Sequence, residues 1–326
     1  MSKSTSTSRI DGAALTPYGD SLRQIVHPAR AAPLFREREA ITLLALMAND
    51  KWEDFRATNR ANWDERVAVH LGSRFYDLDG WLRDKPGPSR RDTEALGDVT
   101  GLSLLHLQCH FGLDTLAWAW AGAQVTGLDF APAAVTAARD IAQRAGLAQR
   151  AEFVCADVYE AVDALGHAEF DIVYVSLGAL CWLPSVERWA AQVGALVAPG
   201  GRFYLHDGHP LAWALADDRP ELIRSYFEEA EPLADDSGYT YTDSGGPMQN
   251  KRQYEWNHGV GETVSALVRH GLRLEWLVEH DWTVWPHFPW LVETAEGTWS
   301  TPPGRPRLPL SFRLLASRAA RDKVPE

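Results

Sequence analysis

Cysteine is scarce in this sequence: Cys109, Cys155 and Cys181 are the three among 326 residues. They give no disulfide framework, and no C-x-x-C or H-E-x-x-H spacing offers a metal site. The expected setting is a reducing cytoplasm, with no metal. Positive charge is also short, with 32 Lys and Arg against 44 Asp and Glu and a net charge of −12. That balance argues against a nucleic-acid backbone or an anionic membrane as partner. Long apolar runs are missing. Ala40–Ala48 falls short of the roughly 20 residues of a membrane span and sits too far in for a signal peptide. The G-x-G-x-x-G turn that a nicotinamide oxidoreductase needs is absent; His106–Gly112 reads HLQCHFG instead. Hydrophobic residues are plentiful at 45%, enough for a large core, and the 14 tryptophans contrast with three methionines.

Residues 1–9 are polar and repetitive and are expected to be a disordered tail. Helical periodicity runs from Pro33 to about His70. Glu37 and Glu39 follow the proline in the early turns, and Trp52, Phe55, Trp63 and Val67 recur further on. These aromatics read first as helix packing. Lys85–Arg91 (KPGPSRR) reads as a linker. Strand and helix patterns then alternate: strands at 102–108, 124–129, 151–156, 170–176 and 202–206, with helices at 113–121, 132–145 and 185–197 between them. This alternation predicts a parallel sheet with helices on both faces. Near-continuous apolar runs such as LSLLHL fit strands buried on both sides. From Leu211 to about Lys251 the pattern gives way to an acidic segment rich in Gly, Asp, Ser and Tyr, expected to be a hairpin or irregular insertion. Periodicity returns as strand 252–257, helix 261–270, strand 272–280 and strand 310–317. Asp281–Pro309, dense in Trp and Pro, is expected to be an ordered loop.

The chemistry concentrates between Leu104 and Asp129. A buried strand ends at Gln108, a turn containing Gly112 opens a helix, and about twenty residues on a second strand ends in Asp129. In an open α/β sheet, ligands bind beyond the carboxyl ends of the strands, where the strand order reverses. An acid at the end of the second strand can accept hydrogen bonds from both hydroxyls of a ribose, although Asp129 can also be read as a helix cap. Asp157, after the third strand, stands where an adenine amino group would lie, and it too reads alternatively as a turn acid.

On these residues the chain resembles the class I S-adenosylmethionine-dependent methyltransferases, well over residues 95–210 and more weakly in the tail. Leu104–Gly112 stands where that family has a sequence like VLDLGCGTG. Only the last glycine is kept; His106 replaces an acid, and Gln108 and His110 replace glycines. Leu196–Phe203 carries the family's Pro-Gly-Gly turn. The resemblance implies a doubly wound, seven-stranded, Rossmann-like α/β sheet whose last strand is antiparallel, with an N-terminal helical lid and an insertion after the fifth strand. Residues 1–94 would be tail and lid, 95–210 the S-adenosylmethionine-binding core, 211–251 the insertion or cap, and 252–326 the strands and helix that complete the sheet. The cofactor contacts implied are Gln108, His110, Gly112, Asp114, Asp129, Phe130, Asp157, Val158 and Ser176, with Phe130 and Val158 walling the adenine.

The LQCHFGLDTL turn and Tyr254–Glu262 look like a bacterial small-molecule, natural-product branch of that family. Some of its relatives methylate nitrogen heterocycles or indole-type carbons. The expected reaction is methyl transfer to a small aromatic or heteroaromatic acceptor, an indole-like carbon or nitrogen. A phenolic O-methyltransferase and a non-catalytic S-adenosylmethionine-binding protein stay open as alternatives. Trp182, Trp63 and Tyr76 are the expected substrate contacts. His209, His258 and His206 are the candidate bases, and the first two are favoured because His206 still lies within a strand. Trp276, Trp282, Trp285, Trp290 and Trp299 read as core and edge cover, or as an aromatic box.

Overall fold

The computed structural model describes residues 51–238, 240–242 and 248–321, all within one of the chain's two compact units, residues 50–326. The tail expected at residues 1–9 and the helix start at Pro33 lie outside the described residues.

Apolar alternation sets the central sheet. In β1 (Ser103–Leu107), Leu104 turns to one face and Leu105 and Leu107 to the other, and all three are fully buried. Four parallel neighbours join it: β2 (Gln124–Asp129), β3 (Ala151–Cys155), β4 (Phe170–Ser176) and β5 (Val197–Gly208). Strand β12 (Ser311–Arg318) runs antiparallel between β5 and the edge strand β8 (Leu272–His280). The order is β3-β2-β1-β4-β5-β12-β8. The chain leaves β1 to one side for β2 and β3, then returns to the other side for β4. That reversal opens the crevice above the carboxyl end of β1.

Helices α4 (Leu113–Trp120) and α5 (Pro132–Ala145) cover one face, and α7 (Val186–Leu196) and α9 (Val260–Arg269) cover the other. Trp118 lies buried in the first layer and Trp189 in the second. Truncating either to alanine costs about 3–5 kcal/mol, because a rigid core closes only partly over the cavity. Pro132 starts α5 with its φ already helical, and Ser185 caps α7 by accepting from the Arg188 amide.

Before the sheet come α1 (Lys51–Leu71), α2 (Leu78–Asp84) and α3 (Arg90–Leu96). The segment expected as a linker therefore ends inside a helix, because Ser89 caps α3 by accepting from the Asp92 amide. A short α6 (Ala161–Ala164) follows β3, and α8 (Pro210–Ala214) follows β5. In the 211–251 segment, β6 (Leu233–Asp235) pairs antiparallel with β7 (Gln253–Glu255), which lies just beyond that segment. The Trp-rich stretch expected as a loop holds a small antiparallel sheet of β9 (Trp282–Thr283), β10 (Val292–Glu293) and β11 (Trp299–Ser300). Two-residue strands are too short to leave an alternating pattern in sequence. Among the described residues, no helix is long and apolar enough to cross a membrane.

Candidate active site

The turn after β1 is held in a conformation that its side chains disfavour. Gln108, His110 and Gly112 all take positive φ, at 56°, 52° and 78°. For residues with a Cβ this costs about 1–3 kcal/mol and persists only where the surroundings over-determine it. Here they do. The Gln108 side-chain amide donates to the Ala179 carbonyl at 2.8 Å, and the His110 backbone amide donates to Asp129 Oδ2 at 2.8 Å. Gly112 is required on two counts: its φ, and the space it leaves. A Cβ there would stand 2.6 Å from the Phe153 ring. The Gln108 side chain and the His110 backbone amide thus tether the turn, and Gln108 Oε1 is left buried with no partner among the described residues.

Asp129 ends β2 with both oxygens on the backbone, Oδ2 to His110 and Oδ1 to the Ala131 amide at 2.9 Å. Burial pushes its carboxyl up to about 6. Each oxygen keeps a second lone pair facing away from those amides. Asp157 caps the turn at 158–160, accepting from the Tyr159 amide at 2.8 Å, and its other oxygen lies 3.7 Å from Arg56 of α1. Desolvation raises its pKa. Phe130 is half-buried against the α5 layer, and Val158 is buried in the opposite layer. Asp114, in the first turn of α4, lies open to solvent at one edge but is crowded by protein. Desolvation and the charge of Asp92 raise its carboxyl to about 6. The Ser176 hydroxyl donates to Asp114 Oδ2 at 3.3 Å and lies 3.1 Å from His106 Nε2.

An aromatic wall stands over the turn. Trp63 of α1 and Tyr76 after α1 pack against His110, and Trp182 after β4 packs against Trp63. Trp63 is 5.1 Å from both the His110 and Trp182 rings, and Tyr76 is 5.9 Å from His110. Tyr76 shares a hydroxyl–hydroxyl hydrogen bond of 2.5 Å with Tyr241. The Arg66 guanidinium lies 5.0 Å from the Trp63 ring and 5.4 Å from the Trp182 ring. Cation–π attraction and burial both lock these rings in place.

Sequence reasoning missed His70, Arg66, Asn62 and Asn59. All four lie on one face of α1 and all are buried, and they carry helical spacing. The signal was there: a polar stripe at 59, 62, 66 and 70, where a packing helix would show apolar residues. Asn59 brackets Tyr254 of β7 by a donated and an accepted hydrogen bond, and Asn62 donates to the Asn250 carbonyl.

The three candidate bases separate. His209 caps α8, with Nδ1 accepting from the Leu211 amide at 3.1 Å and Nε2 at 2.8 Å from Glu279. His258 has Nδ1 2.8 Å from Glu228 and Nε2 2.7 Å from the Leu183 carbonyl. Neither offers a spare ring nitrogen. His206, the least favoured from sequence, is buried with Nδ1 3.7 Å from Asp92 and Nε2 without a partner among the described residues. A loop's position in sequence said nothing about what would satisfy a histidine there. Of the tail tryptophans, Trp290 and Trp299 pack in a satellite core with Phe288. Trp276 packs on the main core, and Trp282 stacks on His280 beneath Arg91. Among the described residues, no group of three or more His, Cys, Asp or Glu side chains could hold a metal.

Residues 104–201, from β1 into β5, match the family model described as a methyltransferase domain. The matched residues span the turn after β1 and the parallel strands around it, so this segment is similar to a methyltransferase domain. Among solved structures, the chain is similar to an S-adenosylmethionine-dependent methyltransferase from Mesorhizobium loti, at 23% identity over 74% of this chain and 100% of that one, TM-score 0.46. It is similar to another from Methanosarcina mazei, at 18% identity over 72% and 100%, TM-score 0.48. A third is geranyl diphosphate C-methyltransferase from Streptomyces coelicolor, at 10% identity over 70% and 78%, TM-score 0.44. No curated protein matches the chain.

Proposed function

We propose that the protein is an S-adenosylmethionine-dependent methyltransferase, with S-adenosylmethionine as its cofactor, that transfers the methyl group to a small aromatic or heteroaromatic acceptor, an indole-like ring carbon or nitrogen. The observation that carries this reading is the aromatic wall over the turn after β1, where Trp63 and Tyr76 pack against His110 and Trp182 packs against Trp63. Flat apolar rings are recognised by rings set edge-on and face-on around them.

The residues fit the cofactor. The orphaned Gln108 Oε1 calls for a donor, which the ammonium of the methionine end provides. The left-handed turn through Gly112 would lie against the methionine end, with His110, Asp114 and Ser176 bordering it. Asp129 would take the ribose hydroxyls on its spare lone pairs. Asp157, Phe130 and Val158 would border the adenine. When bound, the cofactor supplies a methyl already made electrophilic by its sulfonium. The chain's own work is to align the acceptor in line with it and keep water out. Helix α1, pinned to β7 through Asn59 and to the insertion through Asn62, serves as the cover. The free cysteines suit a reducing cytoplasm as the setting.

The test incubates the enzyme with methyl-labelled cofactor and a panel of indoles, phenols and aliphatic amines, then locates the label. Label on an indole ring atom supports the reading. Label on phenolic oxygen alone makes the enzyme an O-methyltransferase, and label on aliphatic amines alone overturns the aromatic acceptor.

A further inference from the structure

His206 differs from the other histidines at the carboxyl edge of the sheet. It sits in β5 in register with Ser176 of β4 and Arg313 of β12, so these three form one row on the α4 side of the sheet. Ser176 in turn touches Asp114 at the mouth of α4. The row lies at the strand ends, where the α/β architecture places its ligands. The groups around His206 are Asp92 of α3, Asp114 of α4, the adjacent Asp207 of β5, Arg313 of β12, His280 of β8 and Trp282 of β9.

Asp92 is built to stay ionised behind that ring. It is buried, and burial alone would push its pKa up. Contacts with His206, Tyr204 and Ser89 outweigh burial and hold the carboxyl below its ordinary value. Tyr204 donates to Oδ1 at 2.6 Å, Tyr174 to Oδ2 at 3.2 Å and Ser89 to Oδ2 at 2.8 Å. At 3.7 Å the contact is an electrostatic one and not a hydrogen bond, and a negative charge so anchored beside Nδ1 favours the proton there and leaves the Nε2 lone pair bare. His110 also has one buried nitrogen without a partner, but its other nitrogen leans on neutral His70, with no carboxylate behind it. His106 is spent on Thr115 and Ser176.

We infer that Asp92 and His206 form a proton-accepting pair, with Nε2 of His206 receiving the proton that the acceptor loses and Asp92 the positioning residue that orients the ring and balances its charge. This rests on the acceptor reading above. In the step, the acceptor's electron pair forms the new bond to the methyl carbon. The carbon–sulfur bond breaks with its pair left on sulfur. The acceptor's N–H, O–H or ring C–H proton passes to Nε2, and from there to solvent. No oxidant or further reactant is required.

Two measurements test the pair. The first is histidine ¹⁵N NMR on the full chain without ligands, with the His206 signals assigned by their loss in His206→Asn. Nδ1 protonated and Nε2 bare is expected, and Asp92→Asn should scramble that tautomer. Nε2 protonated in the wild type, or a tautomer indifferent to Asp92→Asn, overturns the inference. The second is single-turnover methylation. His206→Asn should lose 10²–10⁴-fold in rate with S-adenosylhomocysteine affinity unchanged. Asp92→Asn should lower kcat with KM held, and Asp92→Glu, which keeps the charge, should recover part of it. Full turnover in His206→Asn overturns the pair. If Asp92→Asn does not fold, the wild-type tautomer decides. If the wild type methylates nothing in the panel, the acceptor reading fails, while the NMR result still judges the pair by itself.

Discussion

His70 Nδ1 lies 2.9 Å from His110 Nε2, so helix α1 is latched to the turn after β1 by two imidazoles. His70 Nε2 continues the chain to the Thr240 hydroxyl at 2.6 Å, which brings the insertion into the same latch. Burial pushes the His70 pKa down to about 3 and that of His110 well below its ordinary value, so both rings are neutral near pH 7. A neutral pair can share one proton between facing nitrogens; a charged pair would repel.

His70→Ala should therefore loosen the cover without touching the sheet. Turnover is expected to fall by about 10–100-fold, from poorer positioning and water exclusion, while the melting temperature drops by only a few degrees. Stopped-flow methylation and thermal melts check this. Unchanged turnover would show the latch to be packing alone.

Asp129→Asn keeps the shape of the carboxylate but removes its charge, and Asp129→Ala removes both. Each ribose hydrogen bond to a charged acceptor is worth about 1.5–3 kcal/mol. Calorimetry with S-adenosylhomocysteine should show at least a tenfold loss for Asn and a larger one for Ala, because the His110 amide is orphaned as well. Affinity equal to wild type in both variants would remove Asp129 from the cofactor site.

The raised carboxyl of Asp129 also sets a pH dependence. Its folded value of about 6 lies above the ordinary 3.8, so the folded protein binds the proton more tightly than the unfolded chain between those values. The group's contribution to stability is complete below about pH 4 and is lost as pH rises through about 6. Ribose binding runs the opposite way, since the ionised form accepts best. S-adenosylhomocysteine affinity should weaken as pH falls through about 6, and that dependence should flatten in Asp129→Asn. Asp114, also raised to about 6, should leave a smaller slope of its own.

Gly112→Ala places a methyl 2.6 Å from the Phe153 ring at a φ of 78°. The clash and the strained backbone together should cost about 2–4 kcal/mol in urea unfolding, with cofactor affinity falling alongside. Phe153→Leu in the same chain should return part of the stability, and no recovery would place the cost in φ alone.

Trp182→Ala and Trp63→Ala should raise the acceptor KM by about tenfold while leaving S-adenosylhomocysteine affinity within a factor of two. Equal losses for cofactor and acceptor would mean that these rings hold the turn instead of the substrate.

The succession of elements was legible because it is written locally. The strands at 124–129, 170–176 and 272–280 and the helix at 132–145 fall on the residues that periodicity marked. Asp129 and Asp157 stood out because an acid just past a buried strand is a local pattern too. The buried stripe of Asn59, Asn62, Arg66 and His70 escaped, because polar residues at helical spacing read as a solvated face until something is seen to cover them.

By itself, then, the sequence determined an α/β sheet, its switch point and the turn above it, since hydrophobic alternation and turn residues act over a few positions. Only the tertiary structure decided which imidazole keeps a bare nitrogen. His209 is satisfied by Glu279, His258 by Glu228 and Leu183, and His206 is backed by Asp92. Those partners lie 30 to 114 positions away along the chain. A hydrogen bond spans about 3 Å of space whatever the sequence separation, so its partners are fixed by packing and not by pattern.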